Sequence, residues 1–361
     1  MSAKLKVGVL GATGMVGQRF LALLENHPWY EVTLVAASAN SAGKPYADAV
    51  KGRWAMKTPI PAAAAKLTVK DASAVEAIAG QVDFVFCAVD MPKDETARLE
   101  EAYARAETPV VSNNSAHRGT PDVPMMIPEV NPEHAAVIEA QRRRLGSRRG
   151  FVAVKPNCSL QSYVPALAPL WKFGPNKVAV TTYQAISGAG KTFETWPEMV
   201  DNVIPFIKGE EEKSEQEPLK IWGKLADGRI VPAASPLITA QCIRVAAADG
   251  HLAAVFVGFE KKPAREEILE AWKTFQGRPQ QLKLPSAPAP FLHYFEEDNR
   301  PQTRLDRDAG NGMAVTIGRL RPDHLLDWRF VALSHNTVRG AAGGAVLTAE
   351  LLTAEKWIQA K

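Results

Sequence analysis

The sequence predicts an α/β chain in two parts, a parallel-sheet domain followed by an α+β domain. Three observations carry that expectation. In the first third, short apolar runs alternate with amphipathic helical stretches, and strand–helix alternation needs crossover connections and hence parallel strands. From about Phe151 the texture changes to longer β-rich runs separated by helical stretches and Pro-rich turns, which suits a mixed or antiparallel sheet backed by helices. A length of 361 residues, with 46% hydrophobic and 23% charged residues, fits two globular domains.

Taken in order, residues 6–10 read as a buried strand. Residues 15–26 read as a helix with Val16, Phe20, Leu23 and Leu24 on one face. Strands follow at 32–36 and 82–89, a helix at 93–106 and another strand at 109–112. Beyond residue 151 an apolar strand breaks at Pro156, and an apolar helix then runs through Leu170. Strands are expected at 177–186, 240–246, 252–260 and 314–319. Residues 283–290, rich in Pro, Ala and Ser, read as a surface connection, and 340–359 is Gly-rich and then helical. The expected domains are 1–150, completed by the C-terminal segment 335–361, and 151–334.

Charge narrows the function classes. Lys plus Arg is 43 and Asp plus Glu 39, a net +4, much of it in Arg142, Arg143, Arg144, Arg148 and Arg149. That run is a solvated helix end and loop rather than a basic face interleaved with aromatics, so no nucleic-acid partner is expected. Three cysteines (Cys87, Cys158, Cys242) form neither a disulfide framework nor a C-x-x-C pair, so no metal site is expected. The first residues run straight into a strand pattern, and no apolar run approaches the ~18 residues of a membrane helix. A cytoplasmic enzyme with no membrane partner is the expectation.

Gly11-Ala-Thr-Gly14-Met-Val-Gly17 follows the first strand and opens the first helix. Small residues there let backbone amides approach a pyrophosphate, and the helix N-terminus favours its charge. The parallel domain is therefore expected to be of Rossmann type, with Gly11, Thr13, Gly14, Met15 and Val16 cradling a dinucleotide. A carboxylate at the end of the second strand would accept ribose hydroxyls. Residues 36–44 contain none, whereas Ser38, Ser41 and Lys44 suit a 2′-phosphate, so NADP is expected over NAD.

Cys158 lies where the second domain's first strand hands over to a helix, and amide dipoles there favour a thiolate. Cys87, in mid-strand, and Cys242 read as small core residues. Pro156-Asn157-Cys158-Ser159, Gln184-Ala-Ile-Ser187-Gly188-Ala-Gly190, Gln241-Cys-Ile-Arg244-Val, Asp249-Gly250-His251 and Ser334-His-Asn336-Thr-Val-Arg-Gly-Ala-Ala-Gly-Gly344 follow in that order along the chain. Together they resemble the aspartate-β-semialdehyde dehydrogenases, in the archaeal and fungal-like branch, from the Gly loop to the C-terminal helix.

The resemblance implies an enzyme that reduces L-aspartyl-4-phosphate to L-aspartate 4-semialdehyde with NADP, on the route to lysine, threonine and methionine. Run in reverse, it is a phosphorylating oxidation through a Cys thioester. It implies Cys158 as nucleophile, His251 as acid/base with a pKa near working pH, and Gln184 positioning the carbonyl. Arg244 would clamp the α-carboxylate and Glu210 or its neighbour Glu211 the amino group. Lys213 and Arg118 would hold phosphate, with Asn157 beside the nucleophile and Ser187, Gly188 and Asn336 near the nicotinamide. The implied partners are the small-molecule substrate and inorganic phosphate, in a homodimer or homotetramer.

The chain departs from the family pattern at Asn40, where relatives carry a cofactor-binding Arg, and at Lys191-Thr192-Phe193, where many have Tyr-Pro-Gly. Gly188-Ala-Gly190-Lys191-Thr192 resembles the end of a Walker loop, but its first Gly would fall at Ala185, so no triphosphate site is expected. A malonyl-CoA reductase on the same scaffold is the alternative reading. It needs no amino-group partner such as Glu210.

Overall fold

The computed structural model describes residues 3–361. Six strands, β1 (Leu5–Leu10), β2 (Tyr30–Ala37), β3 (Lys70–Asp71), β4 (Phe84–Cys87), β5 (Val110–Ser112) and β6 (Val152–Val154), form an all-parallel sheet in the order β3-β2-β1-β4-β5-β6. β4 and β6 are buried at every position because helices cover both faces, which is why they read as unbroken apolar runs. The strand order reverses between β1 and β4, and ligands of doubly wound sheets bind in the crevice at such a reversal. Gly11 makes the turn there. Its φ is +79°, and a Cβ would stand 2.2 Å from the Ala88 carbonyl oxygen.

β6 corrects the expected boundary. Val152–Val154 pairs with β5, so the parallel sheet extends past residue 150 and Cys158 leaves from this sheet, not from a strand of the second one. The strand's three apolar residues had only a bare sheet edge to complete. The C-terminal helix Gly343–Ala354 returns to the same domain, sharing a core cluster with Phe20, Phe84 and Phe86. Just before it, Arg339 forms a buried ion pair with Glu129, and its Nε donates to Gln161 on the helix that follows Cys158.

The second sheet is mixed, as expected. Its seven strands include β7 (Pro175–Gln184), β8 (Val203–Ile204), β11 (Leu237–Val245), β12 (His251–Phe259), β13 (Leu292–Phe295), β14 (Val315–Pro322) and β15 (Trp328–Ser334). They lie in the order β13-β14-β15-β12-β7-β11-β8. A separate hairpin joins β9 (Lys224–Ala226) to β10 (Arg229–Val231). Along β12 buried and half-buried residues alternate. Ala253, Val255 and Val257 pack toward the helices Leu160–Leu167 and Arg265–Thr274, while Leu252, Ala254 and Phe256 line the opposite face. β13 and β15 fall in stretches where no strand was expected.

Register gathers the chemistry at one end of this sheet. β11 runs parallel to β7 and sets Arg244 opposite Gln184. β12 runs antiparallel to β7 and begins at His251, one step from the Leu252–Tyr183 pair. β15 ends with Ser334 opposite His251 and delivers Asn336 just beyond. Among the described residues no helix is long and apolar enough to cross a membrane.

Candidate active site

Within residues 151–160 every side chain is buried except Cys158, which is half-buried. The turn that presents it is stapled by Asn157. The Asn157 Oδ1 accepts from the Ser159 N–H and hydroxyl, both at 2.8 Å, and the Asn157 N–H donates to Glu217 at 2.7 Å. The helix beyond, Leu160–Leu167, is buried throughout.

Cys158 Sγ lies 3.4 Å from His251 Nε2. On the ring's other side, the Ala185 N–H donates to Nδ1 at 3.1 Å. Nδ1 is therefore the acceptor and Nε2 carries the hydrogen, which points at the sulfur. Burial, and then Arg244, hold the His251 pKa down at about 3, so the ring is neutral in the free site. This corrects the expectation of a histidine titrating near working pH. The thiol also departs from expectation. Burial pushes Cys158 up, and Glu210 pushes the same way, against the downward pull of Lys155, Arg118 and Arg244.

The substrate-facing groups predicted from sequence do converge. Arg244 is buried, and its Nη1 donates to the Ala185 carbonyl at 2.7 Å, so the backbone of one residue orients both Arg244 and His251. Gly188 leaves room for both, since a Cβ there would stand 3.0 Å from the guanidinium and 3.1 Å from the imidazole. Glu210 accepts from Asn157 Nδ2 (2.9 and 3.0 Å), Gln184 Nε2 (3.0 Å) and Lys213 Nζ (2.8 Å). Burial works against its charge, yet Lys213 and Gln184 hold its carboxyl below the ordinary range. Glu211 faces away and binds Gln241 and the Cys242 N–H on β11. Glu210 is thus the member of the pair that faces Cys158.

Arg118 donates to Glu217 at 3.1 Å and to the Asn113 carbonyl at 3.3 Å, and among the described residues its buried Nε has no protein partner. Asn336 bridges the two halves, accepting from the Gly250 N–H at 2.8 Å and donating to Ser187 Oγ at 2.9 Å.

Sequence reasoning missed three groups here. Glu217 holds both Arg118 and the Asn157 amide, Lys155 is buried beneath the Cys158 turn, and the Ala185 peptide sets the histidine tautomer. Glu210 and Glu217, two helical turns apart on the helix Glu210–Ile221, share a face, and that spacing was the available signal.

The expected cofactor residues divide. Gly11, Thr13, Gly14 and Ser38 line a cavity of about 500 Å³ at the sheet reversal. Met15 and Ser187 line a second, of about 510 Å³, with His335 and Thr337. Among the described residues the N–H groups of Thr13, Met15 and Val16 donate to no protein acceptor, which leaves a cradle for an anion at this helix N-terminus. Ser41 and Lys44 line neither cavity, and Lys44 Nζ donates to the Asn40 carbonyl at 3.1 Å. Residues 36–44 hold no carboxylate, but β3 brings Asp71 beside Ala37 and into the first cavity. The Asp71 Oδ1 is occupied there by the Ser73 N–H and hydroxyl.

Comparison with known proteins agrees with this geometry. Residues 6–138 match the semialdehyde dehydrogenase NAD-binding domain family, and residues 167–339 match the semialdehyde dehydrogenase dimerisation domain family. An aspartate-semialdehyde dehydrogenase of Archaeoglobus fulgidus is 44% identical over 98% of this chain and 99% of its own. The chain belongs to the aspartate-semialdehyde dehydrogenase family. A fungal aspartate-semialdehyde dehydrogenase, from Aspergillus fumigatus, is 42% identical over 98% of this chain and 99% of its own. The crystal structure of the Candida albicans aspartate-semialdehyde dehydrogenase with NADP superposes with a TM-score of 0.88 at 37% identity, covering 99% of this chain and all of that one. The resemblance to the archaeal and fungal branch and the two-part α/β fold are both borne out.

Proposed function

We propose that this chain reduces L-aspartyl-4-phosphate to L-aspartate 4-semialdehyde and inorganic phosphate, with NADPH as reductant, and runs the reverse phosphorylating oxidation. The observation that carries this reading is the Cys158–His251 pair set among Arg244, Glu210 and Arg118. The substrate has an α-carboxylate, an ammonium and a phosphate, and the site offers a guanidinium, a buried carboxylate and a second guanidinium. Glu210 favours this substrate over malonyl-CoA, which has no amino group for it to bind.

The Cys158 thiolate attacks the acyl-phosphate carbon, the bond to the phosphate oxygen breaks, and phosphate leaves a thioester on Sγ. Arg118 and Lys213 hold the departing phosphate. Bound NADPH supplies the hydride that reduces the thioester carbonyl. His251 donates its Nε2 hydrogen toward the oxygen of each tetrahedral species, held in that tautomer by Ala185. When the C–S bond of the thiohemiacetal breaks, the aldehyde leaves and the thiolate is regenerated. The open amides of Thr13, Met15 and Val16 fit the cofactor pyrophosphate, Ser38 fits its 2′-phosphate, and Ser187, Gly188 and Asn336 lie toward the nicotinamide.

The dimerisation-domain match coincides with a sheet face on which Tyr183, Leu252 and Phe256 stay half-buried and Leu237 is 70% exposed. We assign that face to the subunit contact of a homodimer or homotetramer working in the cytoplasm.

The direct test follows NADPH formation from L-aspartate semialdehyde with and without phosphate, beside lanes with NAD⁺ and with malonyl-CoA plus NADPH. Phosphate-dependent NADPH formation is expected. Absent semialdehyde activity with NADPH consumed on malonyl-CoA would overturn the substrate reading.

Arg244→Lys tests the carboxylate clamp. One lysine ammonium cannot keep the Ala185 carbonyl and also offer a planar fork, so KM for the semialdehyde should rise by roughly 10-fold or more. An unchanged KM would remove Arg244 from that role.

A further inference from the structure

Glu217 is buried, and its carboxylate oxygens go to two different parts of the site. Its Oε1 accepts from Arg118 Nη1 at 3.1 Å, and its Oε2 accepts from the Asn157 N–H at 2.7 Å. Arg118 comes from the loop after β5, whereas Asn157 shapes the turn that presents Cys158. One carboxylate thus joins an anion-binding side chain to the nucleophile turn, and the reaction outlined above gives it no role.

The helix that carries Glu217 is built to hold that span. Glu210, Lys213, Glu217 and Lys220 recur at steps of three and four, so they share one face of the helix Glu210–Ile221. Lys220 donates its Nζ to the carbonyls of Arg118 at 2.8 Å and Thr120 at 2.7 Å. Lys220 therefore fixes the main chain of the loop. The Arg118 guanidinium is held by Glu217 on one terminal nitrogen and by the Asn113 carbonyl on the other, which sets its plane. The helix is itself tied to the nucleophile's helix. Pro218 has no N–H for the Ser214 carbonyl, and the Tyr163 hydroxyl donates there instead, at 2.9 Å.

We propose that Glu217 is a positioning residue that aims the Arg118 guanidinium at phosphate while it holds the Cys158 turn. It rests on the reading of Arg118 as a phosphate ligand but not on which acyl group Cys158 carries. Charge and position predict opposite results when the carboxylate is lost. By charge alone, freeing Arg118 from its partner would tighten an anion. In Glu217→Gln the single carbonyl oxygen stays with the Asn157 N–H, which has no other acceptor among the described residues. The amide NH₂ then faces the guanidinium, donor against donor, and displaces it. Position therefore predicts weaker phosphate binding.

The test is protection of Cys158 from iodoacetamide by inorganic phosphate, read by peptide mass spectrometry without aldehyde or cofactor. Cys87 and Cys242 are buried and serve as internal controls. Glu217→Gln should raise the half-protecting phosphate concentration roughly 10-fold, the loss of about one charge-assisted hydrogen bond. Its alkylation rate without phosphate should match the unmodified chain, because the Asn157 bond survives. Arg118→Ala should also weaken protection, and adding Glu217→Gln to it should cost nothing further. Folding of each variant is checked by NADP binding. A half-protecting concentration unchanged or lowered in folded Glu217→Gln overturns the proposal. So does an altered phosphate-free rate, an additive loss in the double variant, or no protection in the unmodified chain. Protection that follows this pattern in a chain without phosphate-dependent NADPH formation would overturn the proposed function and leave the role of Glu217 standing.

Discussion

Cys158→Ser abolishes turnover, by a factor on the order of 10⁴ or more, and leaves NADP affinity unchanged. The substitution barely alters volume at a half-buried position, and the Asn157 staple that shapes the turn uses no Cys158 side-chain atom. What changes is ionisation. A thiol ionises within reach of working pH even when burial and Glu210 push it up against Lys155, Arg118 and Arg244, whereas an alkanol lies too far up the scale for those charges to matter. The neutral His251 does not rescue it, since Nδ1 is taken by Ala185 and Nε2 already holds a hydrogen, so no ring lone pair faces the hydroxyl. Steady-state rates with the semialdehyde, beside a fluorescence titration with NADPH, separate the two effects. Residual turnover above about one percent would take the nucleophile role from Cys158. Loss of cofactor binding would mean that the variant perturbs the crevice as well as the chemistry.

Much of this site was legible because its chemistry lies in short local patterns. The strand, the Gly11 turn and the helix Met15–Leu24 are contiguous, and each depends on residues a few positions away. What stayed hidden depends on long-range register. Val152–Val154 reads equally well as the start of a new domain, and only pairing with β5, some forty residues earlier, assigns it to the first sheet. Glu210 and Glu211 differ by one helical step of ~100°, enough to send one toward Asn157 and the other to β11. In the sequence Glu217 is one more acid on a charged helix and Lys155 one more strand-end lysine, and burial against each other's neighbourhood is what sets them apart. Asp71 likewise comes from a two-residue strand too short for any periodicity to announce.

His251→Asn should lower kcat by roughly 10²- to 10³-fold with little change in KM, because the ring acts on charge that develops in the tetrahedral species and not on bound substrate. The pH dependence distinguishes its role more sharply than the rate does. With its pKa held at about 3 by burial and Arg244, His251 stays neutral as pH falls from 8 to 5. The kcat/KM profile, which reports the free enzyme, should therefore show no limb near the ordinary histidine value of ~6.5 that belongs to this ring. Activity should instead rise with pH as Cys158 ionises. The substrate changes the balance. Once its carboxylate pairs with Arg244, the cation that most depresses His251 is neutralised, so any protonation of the ring in the complex occurs at higher pH than in the free enzyme. A limb in kcat should then lie above any counterpart in kcat/KM, and Arg244→Lys, with its looser grip on the carboxylate, should narrow that separation. A limb near 6.5 in kcat/KM that disappears in His251→Asn would show the free ring to be a titrating base, and the tautomer set by Ala185 would not be the working one.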